Sequence, residues 1–297
     1  MADVVALSVA GVRFLVRCPP GVALNDLDPC YGPFGVPAAG PAPALEVELC
    51  LDPAPSTESQ EHLFDGQSWQ LYGSDGRRYL KALGGAASPR WLAEFDLRPG
   101  RVKVHCGEAL LNRSGQQVRL TNPVSYPLDQ LLLMYVLAGQ GLVLHAAGAK
   151  LGARGYLFAG SSSAGKSTLS RLLAEGEKAL VLSDDRMVVR EIDGTYMAFG
   201  TPWYGEARAA LNECVPLSAI FFLHHSQENS IHRCSSPDAL RALLPVASIP
   251  WYESELVPGV LSFTERLAAR VPCFDLHFRP GTEVVDLLER FSPGQIT

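Results

Sequence analysis

The stretch that decides the fold runs from Tyr156 to Thr168 and reads YLFAGSSSAGKST. Within it, Gly160 to Ser167 match the pattern G-x-x-x-x-G-K-[ST], in which small residues let consecutive backbone N–H groups turn toward phosphate oxygens. The residues before the match are apolar, and leucines recur at helical spacing in 169–173. This strand-loop-helix context favours a phosphate loop that binds a nucleoside triphosphate over a merely connecting Ser/Gly-rich loop.

Each part of the predicted loop has an expected role. Lys166 neutralises the β- and γ-phosphates, and Ser167 offers a hydroxyl to Mg²⁺. The helix that follows directs its positive end at the phosphates. We therefore expect ATP and Mg²⁺ as ligands. The residues expected to bind the nucleotide are Gly160, Ser161, Ser162, Ser163, Ala164, Gly165, Lys166, Ser167 and Thr168.

An acidic pair and a histidine accompany the loop. Asp184 and Asp185 directly follow the apolar segment 179–182, the next predicted strand after the loop helix. In a parallel arrangement both carboxylates lie at the carboxyl edge of the sheet beside the nucleotide, where one orients the metal and the other takes a proton. A solvated turn is the alternative, and we favour the functional interpretation. His145 ends the strand before the loop, a position where a core histidine is the usual case.

Taken together, these residues resemble the carboxyl-terminal catalytic domain of the HPr kinase/phosphorylase family. That family carries a strand ending in His, a hairpin, a glycine-rich phosphate loop and a pair of aspartates, matched here by 144–145, 160–167 and 182–185. Residues 199–206, FGTPWYGE, are similar to a segment of HPr-kinase-like proteins found beside peptide-modification genes, including lasso-peptide tailoring kinases. The resemblance covers about 128–290. It implies an α/β P-loop kinase domain of the HPr kinase/phosphoenolpyruvate carboxykinase type, preceded by a smaller β-rich domain.

The resemblance also implies transfer of the γ-phosphoryl group of ATP to a serine hydroxyl. It makes Asp184 the general base, Asp185 an assistant to the metal or the base, and His145 a hydrogen-bonding partner in the acidic cluster. Lys166 would hold the β- and γ-phosphates. The implied metal ligands are Ser167, Asp185 and Glu206. Which of the two aspartates takes which role stays open, because neighbouring acids can share a proton.

Two departures from the family separate this chain from authentic HPr kinases. Ser163 stands where the family loop usually has glycine, which narrows the backbone's conformational choice. Residues 203–212 do not reproduce the signature that follows the aspartates in HPr kinases. The expected acceptor is therefore a serine-containing peptide, a small protein or a small hydroxyl compound rather than HPr.

Two other functions remain open at the level of sequence. One is a nucleotide-binding switch or scaffold module without transferase activity, with the β-rich half as its recognition surface. The other is a metabolic enzyme of the carboxykinase type, which would need an oxaloacetate site that the sequence does not reveal.

Composition limits the class of partner. The chain has 297 residues, 47% hydrophobic and 19% charged, which is a globular composition. A net charge of −6 gives no reason to expect nucleic acid or an anionic membrane as a partner. Seven scattered cysteines without ligand spacing fit a reducing compartment, so we expect a cytoplasmic protein. A homo-oligomer is left open.

The chain is expected to contain two domains. Residues 1–122 predict a β-rich domain of unknown role, with turns at Ser74-Asp75-Gly76 and Arg98-Pro99-Gly100. Residues 123–297 predict the catalytic domain, in which strands alternate with helices. Its expected strands are 142–146, 156–159, 179–182, 217–223 and 273–278, and its expected helices are 128–138, 166–174, 237–244, 261–269 and 282–291. His224 and His225 are interpreted as polar residues at a strand end, because no third metal ligand is evident.

Overall fold

The computed structural model describes residues 3–25, 28–84, 89–114, 117–161, 163–175 and 179–294. The chain divides into two compact units, Met1–Val136 and Leu137–Thr297. The boundary predicted after residue 122 lies in the loop before the first helix and stays a prediction. In the parts of the chain that the structure describes, no helix combines the length and apolarity needed to cross a membrane.

The first unit is rich in β structure, which confirms the prediction of a β-rich amino-terminal region. Its strands are β1 (Val4–Val9), β2 (Val12–Arg17), β3 (Val22–Leu24), β4 (Gly35–Val36), β5 (Leu45–Cys50), β6 (Glu61–Asp65), β7 (Trp69–Ser74), β8 (Arg77–Ala82), β9 (Trp91–Asp96), β10 (Arg101–Cys106), β11 (Leu111–Ser114) and β12 (Gln117–Leu120). A helix, α1 (Leu128–Leu137), follows them. Nine strands form one sheet in the order β4-β1-β2-β5-β10-β9-β8-β7-β6, and β11-β12-β3 form a second.

The large sheet has an apolar face and a charged face because its strands alternate with a period of two. In β5, Leu45, Val47 and Leu49 are buried. The intervening Glu46 and Glu48 line a cavity of about 390 Å³ on the other face. Basic and acidic residues balance in the lining of this cavity: the basic ones are Arg17, Arg77, Arg101 and Lys103, and the acidic ones are Glu46, Glu48, Glu94 and Asp96. The charges that line this cavity therefore balance.

The second unit combines mixed sheet with helices on the two faces of its parallel strands. Its strands are β13 (Gly141–Leu151), β14 (Arg154–Ala159), β15 (Ala179–Ser183), β16 (Arg186–Ile192), β17 (Thr195–Phe199), β18 (Cys214–His225), β19 (Ser230–Arg233) and β20 (Cys273–Phe278). Its helices are α2 (Lys166–Glu175), α3 (Ser236–Leu243), α4 (Val257–Arg270) and α5 (Thr282–Arg290). The main path of the sheet is β14-β13-β16-β17-β18-β20-β19, with β15 paired to β13 and β14 also paired to β18.

Two long strands hold the second unit together. The first half of β13 pairs with β16, whereas its second half pairs with β14 and β15. Likewise, β18 begins beside β17 and continues as a parallel neighbour of β14 and β20. One core lies under α3 and α4, and the other contains the buried residues of α2 and α5.

The parallel strands β14, β18 and β20 determine where the site forms. Ala159 at the end of β14 is in register with Phe222, and His225 at the end of β18 is in register with Phe278. The carboxyl ends of the strands therefore meet at one edge of the sheet, which is where ligands bind in α/β folds.

Candidate functional site

The predicted phosphate loop connects β14 to α2 at this edge. Gly165 has φ +97°, and a Cβ atom added to it would lie 2.7 Å from Cζ of Phe278. A larger residue would therefore be both conformationally strained and in collision with a buried ring. Ala164 N–H donates to the Ser161 carbonyl over 3.1 Å, which closes the loop into a turn. The turn and the close approach of Gly165 account for the small residues in the motif.

The side chain of Lys166 lies inside the loop. Its ammonium donates to the carbonyls of Gly160 at 2.8 Å and Ser161 at 2.9 Å, and the residue is only 7% exposed. Burial lowers the pKa of Lys166, and the nearby charge of Arg186 lowers it further, while Asp185 acts in the opposite direction. The ammonium thus occupies the concave side of the loop and interacts electrostatically with Asp185.

A cleft of about 370 Å³ opens beside the loop. The residues that line it are His145, Ser163, Gly165, Lys166, Ser167, Thr168, Arg171, Asp185, Gly205, Glu206 and His225. The structure therefore brings most of the predicted site residues to one cleft. Gly160, Ser161 and Ala164 belong to the loop but are not among the lining residues, and Ser162 lies outside the described residues.

The carboxylate of Asp185 faces this cleft and is held from two sides. His145 Nε2 donates to Oδ1 over 3.0 Å, and Arg186 Nε donates to Oδ2 over 3.2 Å. Arg186 is itself oriented by a 3.4 Å hydrogen bond from its Nη1 to Ser248 Oγ. Burial is the largest single influence and would raise the pKa of Asp185. The hydrogen bond from His145 and the charges of Arg186, His145 and Lys166 outweigh it, so the pKa lies below its ordinary value.

Asp184 is not among the residues that line the cleft, and it is only 1% exposed. Its carboxylate accepts three backbone N–H groups, from Gly205 at 2.9 Å, Ala207 at 2.7 Å and Ala209 at 3.2 Å. The two adjacent carboxylates therefore have different surroundings: that of Asp185 lines the cleft, whereas that of Asp184 is occupied by backbone N–H groups. Asp184, the expected general base, is thus buried, anchors the 205–209 loop and is not among the residues that line the cleft.

The same loop carries Glu206 to the cleft. The N–H groups of Gly205, Ala207 and Ala209 alternate toward Asp184, and Glu206 stands between the first two and lines the cleft. Asp184 consequently acts on the cleft indirectly, by holding the segment that contributes Glu206.

The oxygen atoms at the cleft are of the chemical type that binds a magnesium ion. Ser167, Asp185 and Glu206 offer one hydroxyl and two carboxylates, which are the hard oxygen ligands that Mg²⁺ prefers. Within the described ranges, no group of three or more His, Cys, Asp or Glu is arranged to hold a metal. Mg²⁺ usually takes one or two carboxylates and completes its shell with phosphate and water. The residues present therefore fit a metal shared with phosphates rather than a closed protein cage.

The sequence analysis missed several cationic or imidazole groups at the site. Arg186 directly follows the aspartates, and Arg171 follows Ser167 by one helical turn and donates to its carbonyl over 3.3 Å. His225 lines the cleft from the end of β18. The adjacency of Arg186 and the i,i+4 spacing of Arg171 were visible signals. The position of His225 depends on strand order, which the sequence does not reveal.

Residues 128–279, about half of the chain, match the family model described as SynChlorMet cassette protein ScmC. The chain belongs to the ScmC family. Among solved structures, this ScmC-family chain is similar to the HPr(Ser) kinase/phosphatase from Coxiella burnetii, with 14% identity and a TM-score of 0.31, over 50% of this chain and 86% of that one. No curated protein matches it. The family shown is thus ScmC, and the relation to HPr kinases remains a resemblance of motifs.

Proposed function

We propose that this ScmC-family chain is an ATP-dependent kinase that transfers the γ-phosphoryl group to a hydroxyl group, with a serine of a peptide or small protein as the acceptor. The proposal includes a P-loop kinase fold of the HPr kinase type for the second unit and a cytoplasmic location. One observation carries it: Lys166 in a phosphate loop and an ionised, doubly hydrogen-bonded Asp185 line the same cleft.

The phosphate loop supplies the binding half of the reaction. Backbone N–H groups and the start of α2 favour the triphosphate, because both present partial positive charge. The ammonium of Lys166 exchanges the carbonyls of Gly160 and Ser161 for phosphate oxygens, a change from neutral to charged acceptors. When bound, Mg²⁺ neutralises phosphate charge, and Ser167, Asp185 and Glu206 would hold it.

Asp185 supplies the chemical half. The acceptor oxygen forms a bond to the γ-phosphorus while the bond from that phosphorus to the β–γ bridging oxygen breaks, and the acceptor's proton passes to the Asp185 carboxylate. His145 and Arg186 orient the carboxylate and keep it ionised. If Asp185 also contacts the metal, its other oxygen does so, because a carboxylate has two.

The peptide acceptor rests on a resemblance of sequence and on the position of one loop. Residues 199–206 resemble a segment of peptide-tailoring HPr-kinase-like proteins, and Glu206 of this segment lines the cleft. An acceptor bound beside the 205–209 loop would bring its hydroxyl close to Asp185, because Gly205 packs against both aspartates.

The test is label transfer from [γ-³²P]ATP with Mg²⁺ to a panel of serine-containing peptides, followed by mass spectrometry of the labelled products. Asp185→Asn should still bind nucleotide through the phosphate loop but transfer at least about 100-fold more slowly, the loss typical of a missing general base. Asp193→Asn makes the same chemical change at an exposed residue of a hairpin turn and should leave transfer unchanged.

The outcomes separate the competing functions. A wild-type chain that binds ATP but labels no acceptor, and whose partner affinity changes with nucleotide, would support the switch or scaffold module instead. An Asp185→Asn variant that transfers at the wild-type rate would refute the role of Asp185. A wild-type chain that binds no nucleotide would refute the whole proposal.

A further inference from the structure

Ser163 adopts an unusual backbone conformation within the phosphate loop. Its φ is +70°, in the left-handed region that residues with a Cβ atom rarely enter. This is also the position where the sequence has serine, whereas the phosphate loop of the HPr kinase/phosphorylase family usually has glycine. Such a conformation costs on the order of a few-fold to a hundredfold in population, and it persists only where the surroundings hold it in place.

His225 contacts the carbonyl group of this same residue. Its Nε2 lies 2.7 Å from the Ser163 oxygen, and because a carbonyl can only accept, Nε2 carries the proton. The imidazole ring stacks on Phe278 with centroids 6.2 Å apart and planes at 27°. Phe278 also closes the space beside Gly165. The histidine is thus fixed by the end of β20 while it holds the middle of the loop.

We infer that His225 is a positioning residue of the phosphate loop, one that holds the Ser163 carbonyl in a hydrogen bond and thereby keeps Ser163 in the conformation that leaves neighbouring N–H groups free to face phosphate. A concave anion site is formed by successive backbone N–H groups that face the anion. A carbonyl of such a loop needs a donor other than the phosphate, which only accepts, and His225 provides one. This inference rests on the proposed nucleotide site and assigns His225 a role that its position at a strand end did not suggest.

The neighbouring His224 provides a matched control. It ends the same strand, but its Nε2 pairs with Asp275 Oδ1 over 2.7 Å and its ring stacks on His277, outside the residues that line the cleft. A change at His224 therefore perturbs the end of β18 to a similar degree without touching the loop.

The experiment measures binding of a fluorescent N-methylanthraniloyl derivative of ADP, with Mg²⁺, to the full chain. His225→Phe keeps an aromatic ring beside Phe278 and loses the donor, and it should raise Kd about fivefold, the effect of one lost hydrogen bond. His225→Gln keeps an N–H donor and should remain within about twofold of the wild type. His224→Phe should bind like the wild type.

Rescue distinguishes positioning from a general structural effect. Glycine enters the left-handed region without strain, so Ser163→Gly should make the hydrogen bond from His225 to the carbonyl of residue 163 largely dispensable. In that background His225→Phe should raise Kd less than about twofold, whereas independent effects would multiply. If His225→Phe binds like the wild type, or if its loss is unchanged by Ser163→Gly, the inference is overturned while the nucleotide site stands. If the wild-type chain does not bind the probe, the proposed function fails and this inference with it.

Discussion

At the scale of the residue, Asp184 and Asp185 are adjacent in the chain but have different environments. Asp184 is surrounded by backbone donors and is closed to solvent, whereas Asp185 contacts ionisable side chains and faces a cleft. Removing the charge of Asp184 would therefore affect folding first, and removing that of Asp185 would affect chemistry first.

Asp184→Asn should lower the free energy of unfolding by about 3 kcal/mol, because an amide accepts fewer of the three buried N–H groups and brings a donor of its own. Asp185→Asn should lower it by less than about 1 kcal/mol, since its carboxylate is partly exposed. Urea unfolding of the two variants measures the difference. Equal losses would show that the 205–209 loop does not depend on Asp184.

The pH dependence of transfer should follow the lowered pKa of Asp185. The carboxylate stays ionised below pH 3.8, its ordinary pKa, so its stabilising interactions are complete above that value and are lost as the pH falls through the folded pKa. His145→Leu removes a hydrogen bond that lowers this pKa and should move the acid limb of the rate profile to higher pH. His224→Leu removes a histidine from a different aspartate, Asp275, and should leave the limb in place.

The residue types at the site could be predicted from sequence, but their orientation could not. The pattern from Gly160 to Ser167 and the pair Asp184-Asp185 identified the cleft, since each carries its chemistry in local spacing. The pair lies in a bend between β15 and β16, and the 205–209 loop binds the carboxylate of Asp184 while that of Asp185 lines the cleft. His225 reaches the loop only because β18 lies beside β14, and that adjacency is a property of the folded sheet.

At the scale of the element, two short hairpins are specified by the residues of their turns. Asp75-Gly76 joins β7 to β8 with φ of +46° and +81°, the left-handed pair that suits a two-residue turn. Asp193-Gly194 joins β16 to β17 in the same way, with φ of +49° and +77°. The sequence analysis used the first Asp-Gly signal and overlooked the second, so it assigned no strands there. The extents of β13 and β18 were underestimated, because each strand continues from one set of partners to another.

Gly76→Ala should destabilise the chain by about 1 kcal/mol. The added Cβ would contact no other atom, so the cost arises from the left-handed backbone conformation, which a residue with a Cβ disfavours. Gly100→Ala is the matched control. It lies in another turn of the same unit, its Cβ would also meet nothing, and its φ is not in the left-handed region. Its effect should stay within about 0.5 kcal/mol. Thermal unfolding compares the two, and equal effects would argue against the turn geometry.

At the scale of the whole molecule, we expect a nucleotide to stabilise the second compact unit and not the first. The phosphate loop, the aspartates and the 205–209 loop all belong to the second unit. None of the first unit's described residues is among those that line the cleft, and no motif in 1–122 indicates its function.

Saturating ATP with Mg²⁺ should therefore slow amide hydrogen exchange in the phosphate loop and α2 and leave β5 and β10 unchanged. A ligand at a hundred times its Kd stabilises the state that binds it by about 2.7 kcal/mol. Lys166→Ala should abolish this protection, because it removes the cation that meets the phosphates. Equal slowing of amide hydrogen exchange in both units would instead indicate that nucleotide binding stabilises the whole chain.

The balanced charges on the large sheet of the first unit have a consequence for how any binding partner would find it. Equal numbers of positive and negative side chains in this cavity lining cancel beyond roughly one Debye length, about 8 Å at physiological ionic strength. Such a surface exerts little long-range attraction, so encounter rates there should vary little with added salt. Recognition on this face would begin only at contact, through the shape and order of individual side chains.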